Sequence, residues 1–193
     1  LAYCEKIIAH GEDIEDDGLI ALGYYHTGVV YYVRNDAIHF YGAVTEALSY
    51  LSKVEEWEIM ARCYNFLGIF SVNHGNVAIA LDYYLNALKC CEKGGIEDFA
   101  RTVKINRGVL NIAYGRFDDA IDTLQEALEY CSKHPEHPRY EDYMICVYAN
   151  LAKAYLCKGD MIEAKCCFEN IHNEHEEALR DEFKLTVLAT EAM

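Results

Sequence analysis

Two stretches of this chain carry the same punctuation forty residues apart. Gly68, Gly75, Ala80-Leu81 and Ala87-Leu88 return as Gly108, Gly115, Ala120-Ile121 and Ala127-Leu128. The spacing runs back to Gly28, Asn35 and Ala47-Leu48, and forward, after four extra residues, to Ala152, Gly159, Ala164 and Phe168. Four copies of one unit therefore fill most of the chain. A repeat unit of this size cannot bury its apolar face alone, so it restricts the fold to architectures in which neighbouring units stack.

Within each copy the apolar residues recur at helical spacing, as in Leu22, Tyr25, Val29 and Tyr32, and a glycine or asparagine marks the turn between two such stripes. The pattern predicts helix pairs at 18–52, 55–93, 96–133 and 140–174. Residues 1–11 read as the second helix of a partial repeat, ended by Gly11, and 179–193 as the first helix of a fifth. Both prolines, Pro135 and Pro138, fall in the connection that carries the four extra residues. Gly68, Gly108 and Ala152 are expected where paired helices cross, faced by Ala80, Ala120 and Ala164, because close axes leave no room for larger groups. Phe40, standing where an alanine is expected, predicts a splayed or rotated first pair. The expected fold is all-α: one solenoid over 1–193, a right-handed superhelix of antiparallel helix pairs.

A formal charge of -15 removes the electrostatic drive for phosphate backbones and anionic lipid, so neither nucleic acid nor membrane is an expected partner. No apolar run is long enough to span a bilayer, and the start Leu1-Ala2-Tyr3-Cys4-Glu5-Lys6 is no signal peptide. The nine cysteines lie at irregular separations on apolar helix faces, which reads as reduced thiols in a cytoplasmic protein. Leu1 is not an initiator methionine and Met193 falls inside a helical pattern, so the sequence is expected to be part of a longer protein.

Asp13-Ile14-Glu15-Asp16-Asp17-Gly18 imitates the opening of a calcium loop, but the closing glutamate would fall at Tyr24. His172 and His175, and likewise His134 and His137, lack the further ligands of a tetrahedral site, so no metal is expected. Lys93-Gly94-Gly95 is a helix stop rather than a phosphate loop, and His175-Glu176-Glu177-Ala178 meets Leu179 where a zinc helix needs histidine. No catalytic residues and no cofactor are expected.

Tyr64, Leu67-Gly68, Gly75, Ala80, Tyr84 and Ala87-Leu88 follow the order of small and aromatic residues in the tetratricopeptide repeat family, which this chain resembles over nearly its whole length. That family's usual period is about 34 residues, against 40, 40 and 44 here, so each helix should be longer by most of a turn. Long repeats of this kind look like those of bacterial regulators, including peptide-pheromone receptors. Ala61-Arg62-Cys63-Tyr64-Asn65-Phe66-Leu67-Gly68-Ile69, with Asn76 and Asp82-Tyr83-Tyr84-Leu85, is similar to the amino-terminal sensor halves of bacterial proteins ending in a diguanylate cyclase (GGDEF) domain. The resemblance implies a protein- or peptide-binding sensor module of a signalling protein. Its rivals are a pheromone-type receptor and a structural oligomerisation scaffold.

Solenoids of this type bind along the first helix of each pair. Beside the stripe packed on the second helix run Leu22, Tyr25, Val29 and Tyr32; Arg62, Asn65, Ile69 and Val72; Thr102, Ile105, Val109 and Ile112; and Cys146, Ala149, Lys153 and Leu156. The candidate groove residues are Tyr25, Tyr32, Arg62, Asn65, Ile69, Ile105, Val109 and Lys153, with Arg62 or Lys153 expected to hold a ligand carboxylate. Compatible occupants are a protein or peptide, the protein's own output domain, or a second copy in a homodimer. In the third repeat Lys104, Arg107 and Asn111 take places usually apolar, which predicts either a rotated helix or charge presented to the groove.

Overall fold

A computed structural model describes residues 1–174 and places them in helices joined by short turns: α1 (Ala2–Asp13), α2 (Asp17–Val33), α3 (Ala37–Leu51), α4 (Trp57–Asn73), α5 (Val77–Gly94), α6 (Glu97–Ala113), α7 (Phe117–Lys133), α8 (Tyr140–Lys158) and α9 (Met161–Glu174). The fold class is all-α, a helical-repeat solenoid, and no strand occurs among the described residues. The helix expected over 179–193 lies outside them. The chain divides into two compact units, Leu1–Ala100 and the part from Arg101 onward, with the division in the first turn of α6.

The turns inside the pairs are copies of one device. Asp36, Asn76, Arg116 and Asp160 each donate a backbone N–H at 2.9 Å to the carbonyl five residues back, on Tyr31, Ser71, Asn111 and Tyr155. The preceding residues, Asn35, Gly75, Gly115 and Gly159, have φ of 57°, 74°, 71° and 91°. This is the Schellman closure, whose left-handed residue is nearly free for glycine and tolerable for asparagine. The same closure ends α1, where Asp16 bonds back to Gly11 at 2.9 Å and Glu15 takes φ 54°. Gly11 therefore does not end that helix. A Cβ there would stand 2.8 Å from Ile20 Cγ1, so its smallness serves packing against α2. The acidic run that mimics a calcium loop supplies the N-cap of α2, with Asp16 accepting from the Leu19 amide at 2.9 Å.

The helix crossings differ from expectation in one respect. A Cβ on Gly28 would meet Val44 at 2.6 Å, one on Gly68 would meet Tyr84 at 2.5 Å, and one on Gly108 would meet Leu124 at 2.6 Å, each partner sixteen residues on. The facing residue is thus a large side chain, not Ala80 or Ala120. Each glycine is a hollow that a knob from the second helix fills. Val44 approaches Gly28 as closely as its counterparts approach theirs, so Phe40 does not splay the first pair. Its ring is fully buried, stacked on Phe70 at 4.4 Å and set edge-on to Phe66 at 5.1 Å.

In the first unit the core comprises Phe40, Val44, Ala47 and Leu51 of α3 with Ala21, Cys63 and Leu67. In the second, Ile105, Ile112, Ile121 and Leu124 pack with Val147 and Leu151. All nine cysteines are free thiols, and burial pushes Cys63 and Cys167 up to about 12. Cys63 and Cys167 are therefore poor nucleophiles that pack as small apolar groups.

Several tyrosines share that environment. Burial, reinforced by the Tyr41 hydroxyl 2.8 Å away, raises Tyr83 to about 12. Burial likewise raises Tyr25, Tyr64 and Tyr84. In the unfolded chain these phenols ionise near the ordinary value of 10. Between that pH and about 12 the unfolded state therefore binds fewer protons than the native one. Their contribution to stability is full below pH 10 and is lost as pH rises through the native values. Urea midpoints are expected to fall steadily above pH 10, with buried tyrosines gaining phenolate absorbance only as helicity is lost. Complete tyrosine ionisation near pH 10 with the helical signal intact would contradict this packing.

Candidate functional site

In the first unit, α2 and α4 present neighbouring half-buried rows, with Leu22, Tyr25, Val29 and Tyr32 on one and Arg62, Ile69 and Val72 on the other. Phe66 links them, its ring 6.2 Å from Tyr25 and 4.8 Å from Tyr32. Arg62 also reaches Tyr25: burial raises that phenol and the guanidinium draws it back. Asn65, by contrast, is buried.

Arg62 is already engaged. Its Nη2 lies 2.7 Å and its Nε 3.1 Å from Glu58 Oε1, one turn back, and its guanidinium carbon sits 4.8 Å from the centre of the Phe99 ring. The pair is solvent-accessible and weak by itself, but a ligand carboxylate would have to displace Glu58.

Where α4 ends against the α2–α3 turn, a cavity of about 440 Å³ opens, lined by Tyr32, Val33, Asn35, Asp36, Ala37, Phe70, Asn73 and His74. Tyr32 is common to this cavity and to the expected groove. Asn73 Nδ2 donates to the Tyr32 hydroxyl at 2.8 Å. His74 lies against the Phe70 ring, centroids 4.1 Å apart, with Nδ1 2.8 Å from the Phe70 carbonyl. Asp36 caps α3, accepting from the His39 amide at 3.2 Å and from its Nδ1 at 2.8 Å. The His39 amide bond, ahead of the imidazole contact, lowers the Asp36 pKa.

The remaining expected residues belong to the second unit. Ile105 is only 7% exposed and contributes to that unit's core, so its side chain is not free to line a groove. Val109 is 43% exposed, and Lys153 is exposed on α8. Of the polar positions of α6, Lys104 Nζ pairs with Glu126 Oε2 of α7 at 2.7 Å and Asn111 is buried. Arg101 escaped notice in the sequence. It is 2% exposed, its guanidinium carbon 3.4 Å from the centre of the Tyr143 ring and 5.6 Å from that of Tyr130. Its repeat counterparts Ala21, Ala61 and Ile145 are all fully buried, and aligning the copies would have marked the position. Phe70, Asn73 and His74 were also missed, because the cavity exists only where one pair's helix end meets another pair's turn.

No family model matches the chain, and no curated protein matches it. Among solved structures it is similar to BtubC (BKLC) from P. vanneervenii, with a TM-score of 0.71 at 20% identity over 92% of this chain and 67% of that one. At that identity the likeness concerns the fold. Among the described residues no helix is long and apolar enough to cross a membrane.

Proposed function

We propose that the chain is a non-catalytic, cytosolic binding module that receives a peptide or protein segment along the α2–α4 rows and in the cavity at their end. The observation that carries this reading is the cavity of about 440 Å³, within the usual range for binding sites, opening beside half-buried aromatic rows. The tetratricopeptide-like order of Tyr64, Leu67-Gly68, Gly75, Ala80 and Tyr84, and the similarity of 61–69 to sensor halves of diguanylate cyclase proteins, support placing the module upstream of a signalling output. Binding would then bias that output, with the output domain itself as an alternative occupant.

A displayed peptide library screened against the intact chain tests this. Selected peptides are expected to lose about tenfold or more in affinity on Ile69→Asp or Tyr32→Ala, since anchors at the centre of an interface dominate its energy. Unchanged affinity in both variants would remove the site. Concentration-dependent self-association abolished by Ile69→Asp, with no peptide selected, would replace the module by an oligomerisation scaffold.

A further inference from the structure

We infer that the cavity at the α2–α3 turn is a receptor for a guanidinium group, the side chain of an arginine flanked by apolar residues in a partner segment. This rests on the binding reading above and names what that site recognises.

The argument is a count of donors and acceptors on the lining residues. A carbonyl can only accept, so the contact between His74 Nδ1 and the Phe70 carbonyl at 2.8 Å places the proton on Nδ1. In the neutral ring Nε2 is then an acceptor. Asn73 spends Nδ2 on Tyr32 at 2.8 Å, which leaves Oδ1 to accept. Each Asp36 oxygen takes one bond from His39 and retains a further lone pair. To an anion the wall offers the Tyr32 O–H, the second Asn73 N–H and the Asn35 side-chain amide, but no lysine or arginine lines it. Both α2 and α4 end at this wall and α3 begins there, so two negative dipole ends face the space against one positive end, which Asp36 itself caps. A net charge of -15 adds a long-range bias in the same direction.

Guanidinium suits the wall better than ammonium. The acceptors stand on three separate residues, and a planar group with five donors can reach several at once, whereas a point charge cannot. The surroundings specify the neighbours of that arginine. Val33 and Ile38, at 78% and 82% exposure, stand on either side of the same turn and offer apolar contact to flanking residues. The volume of about 440 Å³ exceeds one side chain and leaves room for the segment's adjoining backbone.

The experiment is calorimetric titration of the intact chain with a capped heptapeptide alternating leucine and arginine, beside citrulline and glutamate versions, at low and high salt. Asp36→Asn keeps the α3 cap and removes the charge, and His74→Phe keeps the stack and removes Nε2. Asp122→Asn, on the exposed side of α7, removes one charge elsewhere. The arginine peptide is expected to bind, with the citrulline peptide and the Asp36→Asn and His74→Phe variants each weaker by about tenfold, and Asp122→Asn within about twofold. Equal losses from Asp36→Asn and Asp122→Asn would make the binding a bulk charge effect and overturn the inference. Binding of the citrulline or glutamate peptide as tight as that of the arginine one would overturn it while leaving a peptide-binding module. Failure of all three peptides, with none selected from the library, would remove both.

Discussion

Gly68→Leu is expected to lower the stability of the protein by about 2 to 3 kcal/mol. Two effects of opposite sign meet at this position. Replacing a mid-helix glycine stabilises the helix by about 1 kcal/mol. Against that, the first added carbon would already stand 2.5 Å from Tyr84 Cε1, 2.8 Å from Cδ1 and 3.0 Å from Cζ. Tyr84 is buried, and its ring has no outward path, so the strain falls on the spacing of α4 and α5. Gly68→Ala should also destabilise, since its Cβ is the atom that meets the Tyr84 ring, and Gly68→Leu should be the worse because its branch must also be housed. Combining Gly68→Ala with Tyr84→Leu is expected to be milder than the sum of the two changes, because the second removes the atoms the first strikes. Urea midpoints of these three single variants, the double variant and the parent decide the matter. A leucine variant as stable as the parent would mean that α4 and α5 do not pack closely at Gly68.

Arg101→Ala is expected to cost about 2 to 5 kcal/mol, the range for truncating a large buried side chain. Its guanidinium carbon lies over the Tyr143 ring, 3.4 Å from its centre, in a place closed to water, where such contacts reach about 2 kcal/mol. Truncation also empties the volume of a long side chain from the interior. Arg101→Lys should rescue little, since an ammonium cannot stack on a ring face. Arg101→Met should be milder than alanine, because it refills the space without a charge to bury. If alanine, lysine and methionine prove equal to the parent in thermal and urea unfolding, Arg101 is not a structural element of the second unit.

The expected groove was only partly legible. Tyr25, Tyr32 and Arg62 do come together on the first unit, because an aromatic and aliphatic stripe at helical spacing announces its own face. Ile105 lies on the corresponding stripe of α6 and is buried all the same. The stripe records which residues share a helix face, but not how far that face is rotated towards its partner helix. Lys104, Arg107 and Asn111 displayed the anomaly of the third repeat, yet the residue that matters most there, Arg101, was hidden by the ordinary look of its neighbours.

What the sequence determined by itself was local. Asn35, Gly75, Gly115 and Gly159 set the turns, because a left-handed residue is a property of one backbone position and needs no tertiary partner. The helices followed from apolar spacing for the same reason, their bounds falling within a few residues of expectation. Tertiary structure decided which side chain enters each glycine hollow, and it chose Val44, Tyr84 and Leu124 over the alanines nearby. It also decided that His74, Asn73 and Asp36 should share one cavity. Those outcomes depend on distances between residues far apart in the chain, which the register of one packed helix against another sets and no single stretch of sequence contains.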